Sequence, residues 1–278
     1  MKYFLKIIGL ALLCSLPFYN VCLASLNLYY VYYTGNTNQS FSIADASQTG
    51  LDITGDISAE GWIKVTNTNW CTVVGECPLA AKRATSNQSY LFLIADQGAG
   101  KCQIRLDYYG GGGTTGCYSD TYINDTNWHH IAATADVSAK DVKFYLDGVL
   151  ASTACYLSTA TSIDDSGAAF IVGADGTGTT RNCDDSGTVT ISIDEVRVWN
   201  DIRTITEIQD NKDKQIDAEA SLAGNWRFND GSGNATDNSS NGNTLTNNNS
   251  TPYSNTGLPF PGSADAVQRI EDDLIRFQ

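Results

Sequence analysis

Short runs of alternating apolar and polar residues recur along most of the chain. Clear examples are ISAEGWIKV at 57–65, CQIRLDYY at 102–109, WHHIAATAD at 128–136 and VTISIDEVRVW at 189–199. β-Branched and aromatic residues are frequent in these runs, and Gly, Asn, Asp and Ser separate them, which is the pattern of strands joined by turns. About ten such strands predict an all-β protein, either a sandwich or a jelly roll.

One helical pattern interrupts the strands at 204–216, TITEIQDNKDKQI. Thr204 and Glu207 have the spacing of a capping box, so we expect a short helix to begin here. Three apolar residues are expected to face a sheet from this segment: Ile205, Ile208 and Ile216. A second run of apolar residues at helical spacing, within 264–278, predicts a C-terminal tail helix.

The only two histidines of the chain, His129 and His130, are adjacent in one predicted strand. Histidine is a common acid, base and metal ligand, but neighbours in a strand point to opposite faces of the sheet. No further histidine or H-E-x-x-H motif is present. We therefore expect structural roles for both, with one ring buried and hydrogen-bonded.

The first 24 residues have the pattern of a secretory signal. Lys2 and Lys6 flank the start of a short apolar stretch, and Cys22 and Ala24 are small residues at the positions that signal peptidase requires. We predict a signal peptide at 1–24, one domain at 25–255, and a linker with a short helix at 256–278. The protein is expected to be secreted or at the cell surface, and no later stretch is apolar enough to span a membrane.

Charge and cysteine content narrow the function further. With 17 Lys and Arg against 31 Asp and Glu, the chain carries a net charge of −14, so its net field does not attract nucleic acid. Six cysteines lie beyond the predicted signal: Cys71, Cys77, Cys102, Cys117, Cys155 and Cys183. An even number in an exported protein favours disulfides. The sequence contains no C-x-x-C pair, which argues against a zinc site. Many connectivities are open, and the simplest joins sequence neighbours: Cys71–Cys77, Cys102–Cys117 and Cys155–Cys183.

Five segments, in order, resemble laminin G-like jelly-roll domains. Residues 41–65 resemble an opening strand pair, and NWHHIAATADVSAKDVKFYLDGVL at 127–150 resembles the central Trp-His-His strand and the strand that follows it. FIVGAD at 170–175 resembles the next strand, SIDEVRVWNDIRTITEIQDN at 192–211 the closing strand and helix, and 226–246 a strand-and-loop element. The resemblance covers roughly residues 40–250 and implies a concanavalin A-like fold of two packed antiparallel sheets.

Calcium is the cofactor that the acidic loops favour, because it takes six to eight oxygen ligands, often from Asp- and Asn-rich loops. Two loop groups fit, at 230–243 and at 173–178 with 182–187. The expected ligands are Asp175, Asp184, Asp185, Asp230, Asp237, Asn241 and Asn243. IDDSG at 163–167 is a third, weaker group. The alternative is that these residues only form turns, which Asp, Asn, Ser and Gly do without a metal.

Glycan binding is the function that the resemblance implies. A sugar site needs an exposed aromatic ring with amide or carboxylate groups beside it. Trp70, Tyr108 and Tyr109 lie in loop-like sequence, while Glu60 and Trp62 share one face of a predicted strand. We expect these five residues to contact a ligand.

A binding or adhesion module that recognises a glycan or a surface protein is therefore the predicted function, and we expect no enzymatic activity. The Glu-x-Asp-x-x-Glu strand of related glucanases is missing from the sequence, and so are nucleophile-elbow and phosphate-loop motifs. Two alternatives remain: a cell-surface structural protein that assembles through the tail helix, and a glycan hydrolase that uses Glu60.

Overall fold

The computed structural model describes residues 27–34, 38–67, 76–96, 101–176, 183 and 189–256. The predicted signal peptide, most of the predicted linker and the tail helix lie outside these ranges. Four residues with predicted roles also lie outside them: Trp70, Cys71, Asp184 and Asp185.

The described part of the chain forms sixteen strands, one 3-10 helix at Asp45–Ser47 and one α-helix, α1, at Ile205–Asn211. The strands are β1 Tyr30–Thr34, β2 Ser40–Ile43, β3 Ile57–Val65, β4 Glu76–Arg83, β5 Gln88–Ala95, β6 Cys102–Gly110, β7 Gly113–Ile123, β8 Trp128–Asp136, β9 Asp141–Leu146, β10 Val149–Ala151, β11 Thr153–Ser158, β12 Phe170–Val172, β13 Thr190–Trp199, β14 Leu222–Trp226, β15 Thr246–Asn248 and β16 Tyr253–Ser254.

These strands build two eight-stranded sheets. Sheet A has the order β10-β9-β8-β3-β13-β1-β16, with β14 also paired to β13, and sheet B has the order β11-β7-β6-β5-β4-β12-β2-β15. Every pairing between these strands is antiparallel. The prediction of an all-β, two-sheet antiparallel jelly roll is confirmed.

The core lies between the sheets and follows the alternation of the strands. Ile57, Ala59 and Ile63 of β3 point into it, as do apolar residues of β6. Within the core, the rings of Phe170 of β12 and Trp226 of β14 stack with centroids 4.8 Å apart. The interior therefore joins strands from both sheets into one contiguous core.

Helix α1 begins as predicted but is shorter. The backbone N–H of Glu207 donates to Thr204 Oγ1 at 3.2 Å, and the N–H of Thr204 donates to Glu207 Oε2 at 2.8 Å, so the capping box is present. The helix ends at Asn211. Ile208 packs on sheet A beside Ala132 and Tyr145, and Ile216 is buried beyond the helix. The expectation for Ile205 is wrong, since it is 40% exposed.

Disulfide bonds join segments that are distant in sequence. Cys77 of β4 is bonded to Cys183, with their Cα atoms 4.4 Å apart, and Cys117 of β7 to Cys155 of β11, with Cα atoms 3.9 Å apart. Cys155 lies opposite Cys117 because β11 pairs with β7. Cys102 is also disulfide-bonded. The predicted neighbour pairings are therefore wrong: Cys71–Cys77, Cys102–Cys117 and Cys155–Cys183.

No helix within the described ranges is long and apolar enough to cross a membrane.

Candidate functional site

The outer face of sheet B carries an aromatic and charged cluster. Alternation along β6 turns Cys102, Ile104, Leu106 and Tyr108 into the core, so the residues between them face outward. The cluster consists of Arg105, Asp107 and Tyr109 of β6, Tyr118 of β7 and Tyr156 of β11, and we call it the tyrosine face.

Tyr156 is the most exposed ring of the tyrosine face, at 44%. Its ring lies against Gly116 of β7: a Cβ atom built on that glycine would be 2.3 Å from the ring's Cζ atom. The hydroxyl accepts a hydrogen bond from Arg105 Nη2 and donates one to Asp107 Oδ1 at 2.9 Å. One side of the ring is thus held in place by the sheet while the residue stays partly open to solvent.

Arg105 and Asp107 form the rigid base beneath Tyr156. Arg105 donates to both Asp107 oxygens, through Nε at 2.9 Å and Nη2 at 2.6 Å, and through Nη1 to Glu76 Oε1 at 2.8 Å. Burial works against the charge of Arg105, but the hydrogen bond and charge of Asp107 outweigh it and raise the pKa of Arg105. Burial and the Asp107 charge also raise the pKa of Tyr156, so its hydroxyl keeps its proton at neutral pH.

Two more tyrosines extend the tyrosine face. The Tyr118 and Tyr156 rings stack with centroids 6.4 Å apart and an interplanar angle of 24°. Tyr109 lies partly exposed, with its hydroxyl 3.5 Å from Asp107 Oδ2 and the Arg83 guanidinium 5.6 Å from its ring centroid. Flat apolar rings beside a few fixed polar groups are what a small polar ligand needs for contact and orientation.

The structure places the predicted ligand contacts in different environments. Tyr109 lies on the tyrosine face, but Tyr108 is fully buried because alternation turns it into the core, so its prediction as a contact is wrong. Trp70 lies outside the described residues. The sequence patterns did not identify Tyr118 and Tyr156 as candidate contacts. The alternation of CQIRLDYY does predict that Arg105 and Asp107 share the face of Tyr109.

The predictions that Glu60 and Trp62 contact a ligand are also wrong, because the end of α1 and the chain after it cover both residues. They share the outer face of β3, as predicted, but are only 4% and 6% exposed. Trp62 Nε1 donates to the carbonyl oxygen of Lys212 at 2.7 Å. Arg197 donates to the carbonyl oxygen of Asn211 at 3.1 Å and closes the same region.

Glu60 lies in a closed polar network under this cover. Its carboxylate is 3.2 Å from His130 Nε2, accepts from Trp199 Nε1 at 3.2 Å and lies 3.4 Å from Arg197 Nη1. Burial raises the pKa of Glu60, but the contacts with His130, Arg197 and Trp199 together lower it to about 2. A buried carboxylate that is paired and ionised at neutral pH does not fit the protonated acid of a glycosidase.

The histidines have the separate structural places that strand alternation predicts. His130 is 1% exposed, in edge-to-face contact with Trp62. His129 lies on the other side of the strand, with Nδ1 2.8 Å from Asp147 Oδ2 and Nε2 3.0 Å from Asp125 Oδ1. It therefore links the β7–β8 loop to the β9–β10 turn.

The Asn-rich loop uses its predicted calcium ligands in hydrogen bonds. Asp237 accepts from the N–H groups of Asn225, Ser239 and Asn243 and from the Ser239 hydroxyl, at 2.7–2.9 Å. Asn241 and Asn243 donate to the carbonyl oxygen of Ala223, each at 3.0 Å. Such bonds are those of turn-forming residues, and calcium at this loop stays a prediction.

Asp230 and Asp175 are engaged in the same manner. Asp230 accepts from the Thr236 hydroxyl at 2.6 Å and from its N–H at 3.1 Å. Asp175 forms an ion pair with Arg83 at 2.9 Å. The other members of the second predicted calcium group, Asp184 and Asp185, lie outside the described residues.

Three further carboxylates converge around a lysine. Within the described ranges, ligand oxygens of Asp45, Asp52 and Asp165 lie within 4.8 Å of one another. The buried Lys82 ammonium approaches Asp45 at 2.5 Å and Asp52 at 2.7 Å. It also donates to the carbonyl oxygens of Ser166 and Ala168 at 2.8 and 3.0 Å. The ammonium therefore already serves as the counter-charge of Asp45 and Asp52.

Comparison with known proteins identifies the family of the chain. The family model of the concanavalin A-like lectin/glucanases superfamily, of laminin G type, matches residues 34–209. A candidate carbohydrate-binding protein from Bacteroides ovatus has a similar structure, with a TM-score of 0.58 and 16% identity over 84% of this chain; the match spans 62% of that protein. A heptameric SAP-like pentraxin from Limulus polyphemus gives a TM-score of 0.47 and 10% identity over 66% of this chain and 81% of its own. A sequence search of curated proteins found no match. The chain therefore belongs to the concanavalin A-like lectin/glucanases superfamily.

Proposed function

We propose that the protein is a glycan-binding module that holds its ligand on the tyrosine face. The observation that carries the proposal is the ring of Tyr156, 44% exposed, backed by Gly116 and fixed through its hydroxyl to Arg105 and Asp107. A ring that is already immobile loses little conformational entropy when a ligand covers it. The similar fold of the Bacteroides ovatus protein, whose description names carbohydrate binding, supports the same ligand class.

Binding rather than hydrolysis fits the carboxylates at this face. Hydrolysis requires one carboxyl that donates a proton and a second that attacks or activates water. Asp107 is fully buried, with both oxygens bonded to Arg105. Glu76 is bonded to Arg105 as well. These carboxylates neutralise the guanidinium and orient Tyr156.

Calcium and secretion belong to the same proposal. We propose that the protein acts outside the cell and that a calcium ion, bound by the Asp-rich loops, stabilises the module or bridges to the ligand. The disulfides Cys77–Cys183 and Cys117–Cys155 suit an oxidising compartment. The glycan-binding proposal does not depend on the calcium proposal.

A glycan array, run with calcium and with EDTA, tests the function. We expect retention of a defined set of glycans that share a structural unit, and weaker retention in EDTA. Equal retention in EDTA would refute the calcium proposal and leave the glycan-binding proposal unaffected.

No retention under either condition would refute the glycan proposal. The assembly alternative would then be supported if sedimentation showed concentration-dependent oligomers that disappear when residues 264–278 are removed. Release of reducing sugar from a bound polysaccharide, abolished in Glu60→Gln, would show that the protein is a hydrolase.

A further inference from the structure

An open pocket of about 340 Å³ lies at the edge of the sandwich, far in strand order from Tyr156. It is enclosed by the loop after β14 and by the chain from β15 to β16. Strands β15 and β16 end sheets B and A, whereas β11 ends sheet B at its opposite edge. We call it the asparagine pocket; its lining includes Ser232, Gly233, Asn234, Asn247, Ser250 and Tyr253.

The asparagine pocket is uncharged in a strongly acidic chain. The described residues that line it include no Asp, Glu, Lys or Arg, although the chain has a net charge of −14. The nearest acidic residue in sequence, Asp230, is bonded to Thr236 through both carboxylate oxygens. A ligand without charge is therefore favoured over an anion, which the surrounding negative field repels.

Hydrogen bonds between its two walls preform the pocket. The Tyr253 hydroxyl contacts the carbonyl oxygens of Gly233 and Asn234 at 3.2 and 3.3 Å. Across the pocket, the backbone N–H of Asn247 donates to Asn234 Oδ1 at 3.1 Å. Asn247 also exchanges two hydrogen bonds with Thr251, at 2.7 and 2.9 Å. The Tyr253 ring in turn packs edge-on against Phe41 of the core, 5.9 Å away.

Several polar groups of the pocket remain open to a ligand. Asn234 is exposed, and its Nδ2 makes no hydrogen bond within the described chain, nor do the hydroxyls of Ser232 and Ser250. Hydroxyls donate and accept, and the amide NH2 donates. A sugar hydroxyl has the same dual capacity, so these groups match a ring that carries several hydroxyls.

We propose that the asparagine pocket binds one uncharged sugar ring, at a site separate from the tyrosine face. Its volume is at the low end for small-molecule sites, about 300–1,000 Å³, which suits one ring rather than an extended chain. The proposal does not depend on the tyrosine face.

Protein NMR of the 15N-labelled chain tests this with glucose, galactose, mannose and N-acetylglucosamine, and with glucuronate as the charged match to glucose. We expect at least one neutral sugar to shift the amides of Gly233, Asn234, Asn247 and Tyr253 saturably, with a Kd near the millimolar level that an open, shallow site gives. Glucuronate should bind at least about twofold more weakly than glucose, which is the repulsion from one like charge about 10 Å away in water.

Two variants check the location. Asn234→Ala removes the open amide, and Ser232→Trp places bulk in the pocket at an exposed residue without hydrogen bonds in the described chain. Each should raise the Kd about tenfold or more, and Ser232→Trp tests the site even if Asn234→Ala loosens the loop. Tyr156→Ala should weaken binding at the tyrosine face by about 10- to 150-fold while these shifts persist.

The proposal is overturned if no neutral sugar shifts these amides. It is equally overturned if glucuronate binds as tightly as glucose, or if Ser232→Trp leaves the Kd unchanged. Loss of the pocket shifts in Tyr156→Ala would show that both signals come from one site.

Discussion

Replacing Tyr156 by alanine removes the ring on which the proposed glycan lies. An aromatic side chain has roughly 150–250 Å² of surface. The 44% of Tyr156 that is exposed is therefore roughly 65–110 Å². Covering that area at about 25 cal/mol per Å² contributes about 1.5–3 kcal/mol. We expect Tyr156→Ala to raise the Kd for a glycan identified on the array by about 10- to 150-fold.

Isothermal titration calorimetry with that glycan gives the assay, and two variants control it. Tyr156→Phe keeps the ring and loses only the hydroxyl bonds to Arg105 and Asp107, so we expect a change in Kd of about threefold or less and a loss of stability of about 1 kcal/mol. Leu150→Ala removes a side chain of similar exposure, 52%, from sheet A and should leave the Kd unchanged. If Tyr156→Ala binds the glycan as tightly as the wild type while folding normally, the assignment of the ligand to this face is wrong.

Three further predictions concern the frame that holds the site. Lys82→Met leaves two carboxylates, 33% and 39% exposed, without their counter-charge; urea unfolding should show a loss of about 2–3 kcal/mol, less than for a fully buried pair, and an unchanged stability would contradict the role of the ammonium. The hydrogen bond to Asp147 raises the pKa of His129, so His129 stabilises the fold below about pH 6.5 and this contribution is lost as pH rises through its folded pKa. His129→Gln should accordingly cost about 0.5–1 kcal/mol at pH 5.5 and less at pH 9, and an equal cost at both pH values would refute the link. Replacing Cys77 and Cys183 by alanine opens a link of 106 residues in sequence and should cost about 4–5 kcal/mol in thermal or urea unfolding; a cost below about 1 kcal/mol would contradict that chain-entropy argument.

Features that arise from local sequence were predictable. The alternation of ISAEGWIKV and WHHIAATAD gives the bounds of β3 and β8 and the opposite placement of the two histidines. Asp147 and Gly148 form the turn between β9 and β10 that an Asp-Gly pair favours, with positive φ values of 54° and 77° respectively. Each of these depends on neighbours within a few residues.

Features that arise from distant contacts were not predictable from the same patterns. Alternation placed Glu60 and Trp62 on one face correctly, but the cover over that face comes from residues about 150 positions later. The disulfide between Cys117 and Cys155 follows from the pairing of β7 with β11, which sequence neighbours do not show. Tyr156 is a lone tyrosine in a short strand, and only the fold brings its hydroxyl to Arg105 and Asp107.

A crystal structure of the protein with a glycan retained on the array tests the central claim most directly. We predict that a sugar ring lies on the exposed side of Tyr156, next to Tyr118, with polar contacts to the groups around Asp107. A glycan bound only elsewhere, for example at the Asp- and Asn-rich loop of residues 230–243, with Tyr156 still open to solvent, would contradict the claim.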